Sequence, residues 1–184
     1  MKLFNGIKTR FGKRKLEKFI VRQKRKARVS NFSTAHSIGL VYNIKNTDYQ
    51  DFINKYIDYL REEIGFKTIV SLGFNLKETE PKFLKGGSKF KSFSKNELDW
   101  KNFPKGKEIE NFCNQDFDIL IDLARNYTVP LRYVVVKSKA RLKIGRYSKE
   151  NEKYYDFMVD ISETEPVSEY IEQVNHFLNN VKPK

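Results

Sequence analysis

The chain predicts an α/β protein: an open, mostly parallel sheet with helices on both faces, preceded by a basic N-terminal helical arm. Three observations carry this reading. Short apolar runs such as "SIGLVYNI" (37–44) and "DFDILIDL" (116–123) alternate with stretches whose apolar residues recur at helical spacing. The first strand, helix and strand in this order make a βαβ unit, whose crossover sets its strands parallel. Charge is also unevenly spread, since residues 1–36 hold 12 Lys and Arg against the single acid Glu17.

Taken in order, residues 13–28 place Leu16, Phe19, Ile20, Gln23 and Ala27 on one narrow stripe, with Lys and Arg over most of the remaining surface. Like charges at helical neighbours repel, so this helix is marginal alone and firmer against an anionic partner. The domain proper starts at Ser37. "SIGLVYNI" reads as a strand and "NTDYQDFINKYIDYLREEIGF" as a helix, with Asn46 or Thr47 capping its first turn and Gly65 ending it. "KTIVSLGFNL" is a second strand, which completes a βαβ unit. Residues 77–107 break the pattern as a basic loop insertion with a short strand near 88–93. Thereafter "KEIENFCN" reads as a helix, "DFDILIDL" as a buried strand, "TVPLRYVVVKSKA" as a helix with Pro130 in its first turn, "RLKIGRY" and "YYDFMVDI" as strands, and "EPVSEYIEQVNHFLNNV" as the closing helix. The organisation is therefore an arm over 1–36 and one α/β domain over 37–184.

Length and composition set the frame. The 184 residues suit one domain with a tail, and 39% apolar with 14% aromatic residues suffices for a core. The apolar runs are too short for a membrane-spanning helix, and the N-terminus has no signal-peptide pattern. Cys113 is the only cysteine, so no intrachain disulfide and no disulfide-linked partner are expected, and a reducing cytoplasm fits. The net charge is +13, of which the insertion at 82–107 supplies eight Lys against Glu97 and Asp99. Charge asymmetry of this kind points to nucleic acid or an anionic membrane surface.

The stretch "FDILIDLARNYTVPLRYVVVKSKARLKIGRY" (117–147) resembles a segment in the acceptor-side domain of heptosyltransferase-type glycosyltransferases, where a strand ending in Asp is followed by a helix and a basic segment running into "IG". The resemblance implies a Rossmann-like fold and no activity, because a second nucleotide-binding domain does not fit in this length. The layout as a whole also resembles a family of small bacterial α/β proteins with a basic N-terminal arm, which has no established activity.

Few motifs carry chemistry. Asp118 and Asp122 point to the same side of their strand, with Asp122 near the carboxyl end, where ligands enter open α/β sheets. Asp122 is the ligand-binding candidate of an enzymatic reading, a small nucleotide- or sugar-phosphate-utilising enzyme. Its competing role is to cap the next loop. Neither dinucleotide nor phosphate-loop glycine pattern is present, and "KGGSK" (85–89) lacks the strand-to-helix setting of a phosphate loop. One Cys and two His far apart give no metal spacing, and no cofactor or catalytic residue is expected. His176 and Cys113 read as structural, and His36 sits at the junction of arm and domain.

The basic features are the stronger signal. They predict a non-enzymatic RNA-binding protein, associated with ribosomal RNA or the ribosome, that neutralises phosphates with its arm. The predicted contacts are Lys8, Arg10, Lys13, Arg14, Lys15, Lys18, Arg22, Lys24, Arg25, Lys26 and Arg28 in the arm. Lys85, Lys89 and Lys91 join them from the insertion, with Trp100 as a base-stacking residue. Lys137, Lys139, Arg141 and Lys143 come from the acid-free span 123–149. A peripheral membrane role is the third reading, disfavoured because the arm's apolar stripe is thin.

Overall fold

The computed structural model describes residues 2–22, 25–77, 91–162 and 164–183, with the backbone alone for residues 2–5, 7, 21 and 22. Twelve elements build it: α1 (Lys2–Arg22), β1 (Ser37–Ile44), α2 (Thr47–Glu62), β2 (Thr68–Asn75), β3 (Lys91–Ser94), a 3-10 turn (Lys95–Glu97), α3 (Lys107–Asn114), β4 (Ile119–Asp122), α4 (Val129–Lys137), β5 (Leu142–Arg146), β6 (Phe157–Val159) and α5 (Val167–Asn180). The six strands form one sheet in the order β3-β2-β1-β4-β5-β6, and every pairing is parallel. The order reverses beside β1, whose neighbours are β2 and β4. Asn46 caps α2 by accepting the Tyr49 N–H, as its position before the helix predicts.

A parallel sheet needs cover on both faces. On the first face α2 and α5 bury Ile53, Tyr56, Ile57, Leu60, Tyr170, Val174 and Leu178 against Leu40, Tyr42, Ile121 and Ile144. On the second, α1, α3 and α4 bury Leu16, Ile109, Phe112 and Val134 against Val41, Leu72, Phe93 and Leu120. β1 supplies both cores by alternation, Leu40 and Tyr42 to one and Val41 to the other.

The basic helix is thus part of this cover. Leu16 is fully buried, and Phe19 packs its ring beside Phe103 and edge-on to Tyr133. Gly12 permits the approach: a Cβ there would lie 2.6 Å from the Lys101 carbonyl oxygen and 2.9 Å from Val129 Cγ1. Two ion pairs fasten the helix to the loop before β6, Lys13 with Glu150 and Lys153 with Glu17. The helix begins before and ends before the predicted 13–28. From Arg25 the chain runs as a strap along the start of β5, where the Arg28 N–H donates to the Arg141 carbonyl and the Arg25 guanidinium to Asp156 and the carbonyls of Ala140 and Arg141. The strap delivers Phe32 to the first-face core, edge-on to Phe66. These tertiary hydrogen bonds replace the last turns of the predicted helix.

Leu16→Ala is expected to cost about 2–5 kcal/mol of stability through the cavity it leaves. Gly12→Val is expected to destabilise as well, by pushing α1 off Val129. Urea denaturation measures both. Unchanged midpoints in both variants would mean that α1 does not rest on α4 in solution.

Candidate functional site

The predicted basic RNA contacts fall into five groups. Lys8, Arg10, Arg14, Lys15 and Lys18 lie exposed on the outer face of α1, and none has an ion pair among the described residues. Lys26 and Arg28 are exposed on the strap, and Lys137 and Lys139 at the end of α4. Lys13, Arg25, Lys91 and Arg141 are committed to Glu150, Asp156, Glu108 and Asp118. Lys24, Lys85 and Lys89 lie outside the described residues, as does the Arg22 side chain. Lys143 is 2% exposed, inside the second-face layer, and has no surface with which to meet a phosphate. The period-2 alternation of β5 turns it inward.

Trp100 is 57% exposed. Its ring lies 5.5 Å from that of Phe11, itself exposed on α1, and Lys101 Nζ stands 5.1 Å over it. By contrast Phe93 and Phe103 from the same insertion are buried core. The outer face of α1 therefore continues into an exposed aromatic pair with a further cation beside it.

A second group of residues gathers at the carboxyl edge of the sheet. Asp122 closes β4 and is buried; its Oδ1 accepts the Ala124 N–H at 2.8 Å, which is the loop cap read from the sequence. It does more than cap. Oδ2 accepts Arg132 from α4 at 2.7 Å and the Tyr155 hydroxyl at 2.6 Å. Burial pushes this carboxyl up while Arg132 and the Ala124 N–H draw it down. With three donors converging on it, the carboxylate is the form the site holds. Arg132 in turn donates to Asn151, whose amide donates to the Arg146 carbonyl. The Arg132 guanidinium lies 4.8 Å from the Tyr155 ring centre, 5.2 Å from that of Tyr127 and 5.5 Å from that of Tyr154. Tyr155 covers Gly145, where any Cβ would collide with its ring.

Beside this node lies a cavity of about 320 Å³, lined by Arg125, Tyr127, Arg132, Arg146, Tyr147 and Ile161 among others. Arg146 closes β5 and is 8% exposed, with its guanidinium 4.4 Å over the Tyr170 ring. Lys45, directly after β1, lies over the Tyr49 ring at 4.8 Å. Partial burial, then repulsion from Arg125 and Arg146, lowers its pKa. In the sequence, Arg125, Arg132 and Arg146 read only as members of a basic run, and Lys45 passes without notice. The signal that could have found them is a charged residue closing an apolar strand, in "RLKIGRY" and just past "SIGLVYNI".

Asp118 is tied down at the opposite edge, where its Oδ2 accepts the N–H groups of His36 and Ser37. These bonds and Arg141 lower its pKa against the effect of burial. Cys113 is buried, which pushes its thiol up to about 12 and makes it inert. Among the described residues, no group of three or more His, Cys, Asp or Glu is placed to hold a metal, and no helix is long and apolar enough to cross a membrane.

The buried charges set two expectations for stability. Asp122→Asn strands Arg132 without a counter-charge and is expected to cost about 3–5 kcal/mol in urea denaturation, against about 1 kcal/mol for a cap alone. Lys143 is held down to about 7, chiefly by burial and then by Arg25, with one hydrogen bond to the Val136 carbonyl. Between that value and the ordinary lysine value near 10.4 the unfolded chain binds the extra proton. Stability from this group is therefore fully present above the ordinary value and lost as pH falls towards 7. Lys143→Met is expected to flatten the rise in stability from pH 7 to 10, by up to about 1.4 kcal/mol per pH unit. Parallel profiles of wild type and variant would place a charged Lys143 in the folded state.

Comparison of the chain with curated proteins and with solved structures gave no match. One family model, described as a family of unknown function (DUF6913), matches residues 8–181. The match runs from within α1 to just past α5, so it takes in the basic helix together with the whole sheet. The chain belongs to this family, DUF6913.

Proposed function

We propose that the chain is a non-enzymatic RNA-binding protein, with ribosomal RNA as its first candidate partner, and that it binds through the outer face of α1. One observation carries the reading: a docked helix presents Lys8, Arg10, Arg14, Lys15 and Lys18 outward beside the exposed Phe11–Trp100 pair. Docking holds these cations on a rigid support, and rigidity reduces the entropy cost of binding. Phosphate contacts supply affinity without sequence information, and an exposed indole supplies a stacking platform for an unpaired base. The one acid of the helix, Glu17, is drawn to Lys153 and leaves the outer face without a negative charge. Packing of Leu16, Phe19 and Ile20 on the domain leaves α1 no apolar stripe to lay into a bilayer, which favours RNA.

The test is binding of single-stranded RNA across a salt series. The triple variant Arg14→Glu, Lys15→Glu and Lys18→Glu is expected to lose most affinity and to flatten the salt slope by roughly 0.7 for each phosphate it no longer neutralises. Trp100→Ala is expected to weaken binding by about 1–3 kcal/mol without shifting the melting temperature. Wild type is expected to co-sediment with ribosomes at low salt and to leave them at high salt. A triple variant that binds as tightly and as salt-dependently as wild type would sink the proposal.

A further inference from the structure

The carboxyl edge of the sheet holds a charge that the fold itself does not satisfy. Nε, Nη1 and Nη2 of Arg146 are all buried and have no hydrogen-bond partner among the described residues. A guanidinium stays protonated in a protein, and a buried charge is costly unless an acceptor or counter-charge meets it. Two of the described acids beside the cavity are engaged elsewhere. Asp122 is saturated by Arg132, Tyr155 and Ala124, and Glu150 at the rim is held by Lys13. Among the described residues Arg125 donates to a carbonyl alone, that of Glu165. The cavity wall thus carries two cations, Arg125 and Arg146, beyond its Arg132–Asp122 pair. The position is off the ends of β4 and β5, beside the strand-order reversal where open α/β sheets take their ligands.

We propose that this cavity binds a small phosphate monoester, with Arg146 gripping the phosphate from the sheet side and Arg125 closing over it. A monoester carries up to two negative charges near neutral pH and offers several acceptor oxygens, which match a forked guanidinium. At about 320 Å³ the cavity lies at the small end of ligand sites, which span about 300–1,000 Å³. It has room for the phosphate and the sugar that carries it, with Tyr127, Tyr147 and Ile161 as the walls for the organic part. Sugar phosphates and nucleoside monophosphates share this chemistry. The site stands apart from the RNA reading, because it uses none of the outward cations of α1.

The experiment is calorimetric titration and thermal melting of the full chain with inorganic phosphate, glucose 6-phosphate and adenosine monophosphate, at constant ionic strength. At least one ester is expected to bind and raise the melting temperature, on the order of tenfold tighter than inorganic phosphate, and whichever ester binds better identifies the source. Arg146→Met is expected to remain folded, since it removes an unpaired buried charge, and to weaken ester binding on the order of tenfold to a hundredfold. If that variant does not fold, Arg125→Gln at the rim is the readout, with a several-fold drop in affinity. The triple charge reversal on α1 is expected to leave ester binding unchanged, which separates this site from RNA binding. Absence of ester binding to wild type, esters no tighter than inorganic phosphate, or binding unaffected by both pocket variants would overturn the proposal.

Discussion

The Asp122 carboxylate is the point on which the carboxyl edge of this protein depends. It ends a strand that is buried on both faces and receives donors from three separate parts of the chain: its own loop, α4 and the segment leading into β6. Two buried opposite charges are stable together only when their remaining hydrogen-bonding capacity is met. Asn151 meets much of it by taking Arg132 on one side and holding the Arg146 carbonyl on the other. The ten residues between β5 and β6 contain no helix, yet they are fixed by this network and by Tyr155 lying on Gly145. A parallel connection without a covering helix is thereby made rigid by polar contacts.

The second constraint is that a parallel sheet cannot leave a face wet. α3 and α4 are short, at eight and nine residues, and the second face is completed by the basic N-terminal helix. This ties the display of charge to folding. The inward stripe of Leu16, Phe19 and Ile20 supplies cover, so the cations are left to point outward. The same ion pairs that hold α1, Lys13 with Glu150 and Glu17 with Lys153, anchor the loop that walls the cavity. A helix rich in like charges, marginal alone, is stabilised here by burial on one side and by ion pairs with the domain.

Charge is divided between edge and face in a way that suits two kinds of recognition. On α1 the cations are solvated and long-reaching, suited to a polyanion whose contacts are many and individually weak. At the carboxyl edge a few guanidinium groups are withdrawn from water among tyrosine rings, where each interaction is stronger and geometry decides. Lys143 belongs to neither group: it lies within the second-face layer, and its charge is suppressed by burial.

The local pattern alone determined the class of the fold, because strand and helix periods are properties of neighbouring residues. All six strands, the Asn46 cap and the βαβ start were legible that way, and so was the loop-capping bond of Asp122. Trp100, picked out among lysines, is exposed beside Lys101. The strand order, the docking of α1 through Gly12, and the end of that helix at Arg22 rather than at 28 were decided by contacts between segments far apart in the chain. So was the fate of each cation. Lys143, Arg146 and Arg141 are near neighbours in sequence, yet one lies in the core with its pKa held down by burial, one has a buried guanidinium with no hydrogen-bond partner among the described residues and one pairs with Asp118. Sequence records that a residue is basic, but burial and the distance to the nearest acid set what its charge can do, and both are properties of the assembled structure.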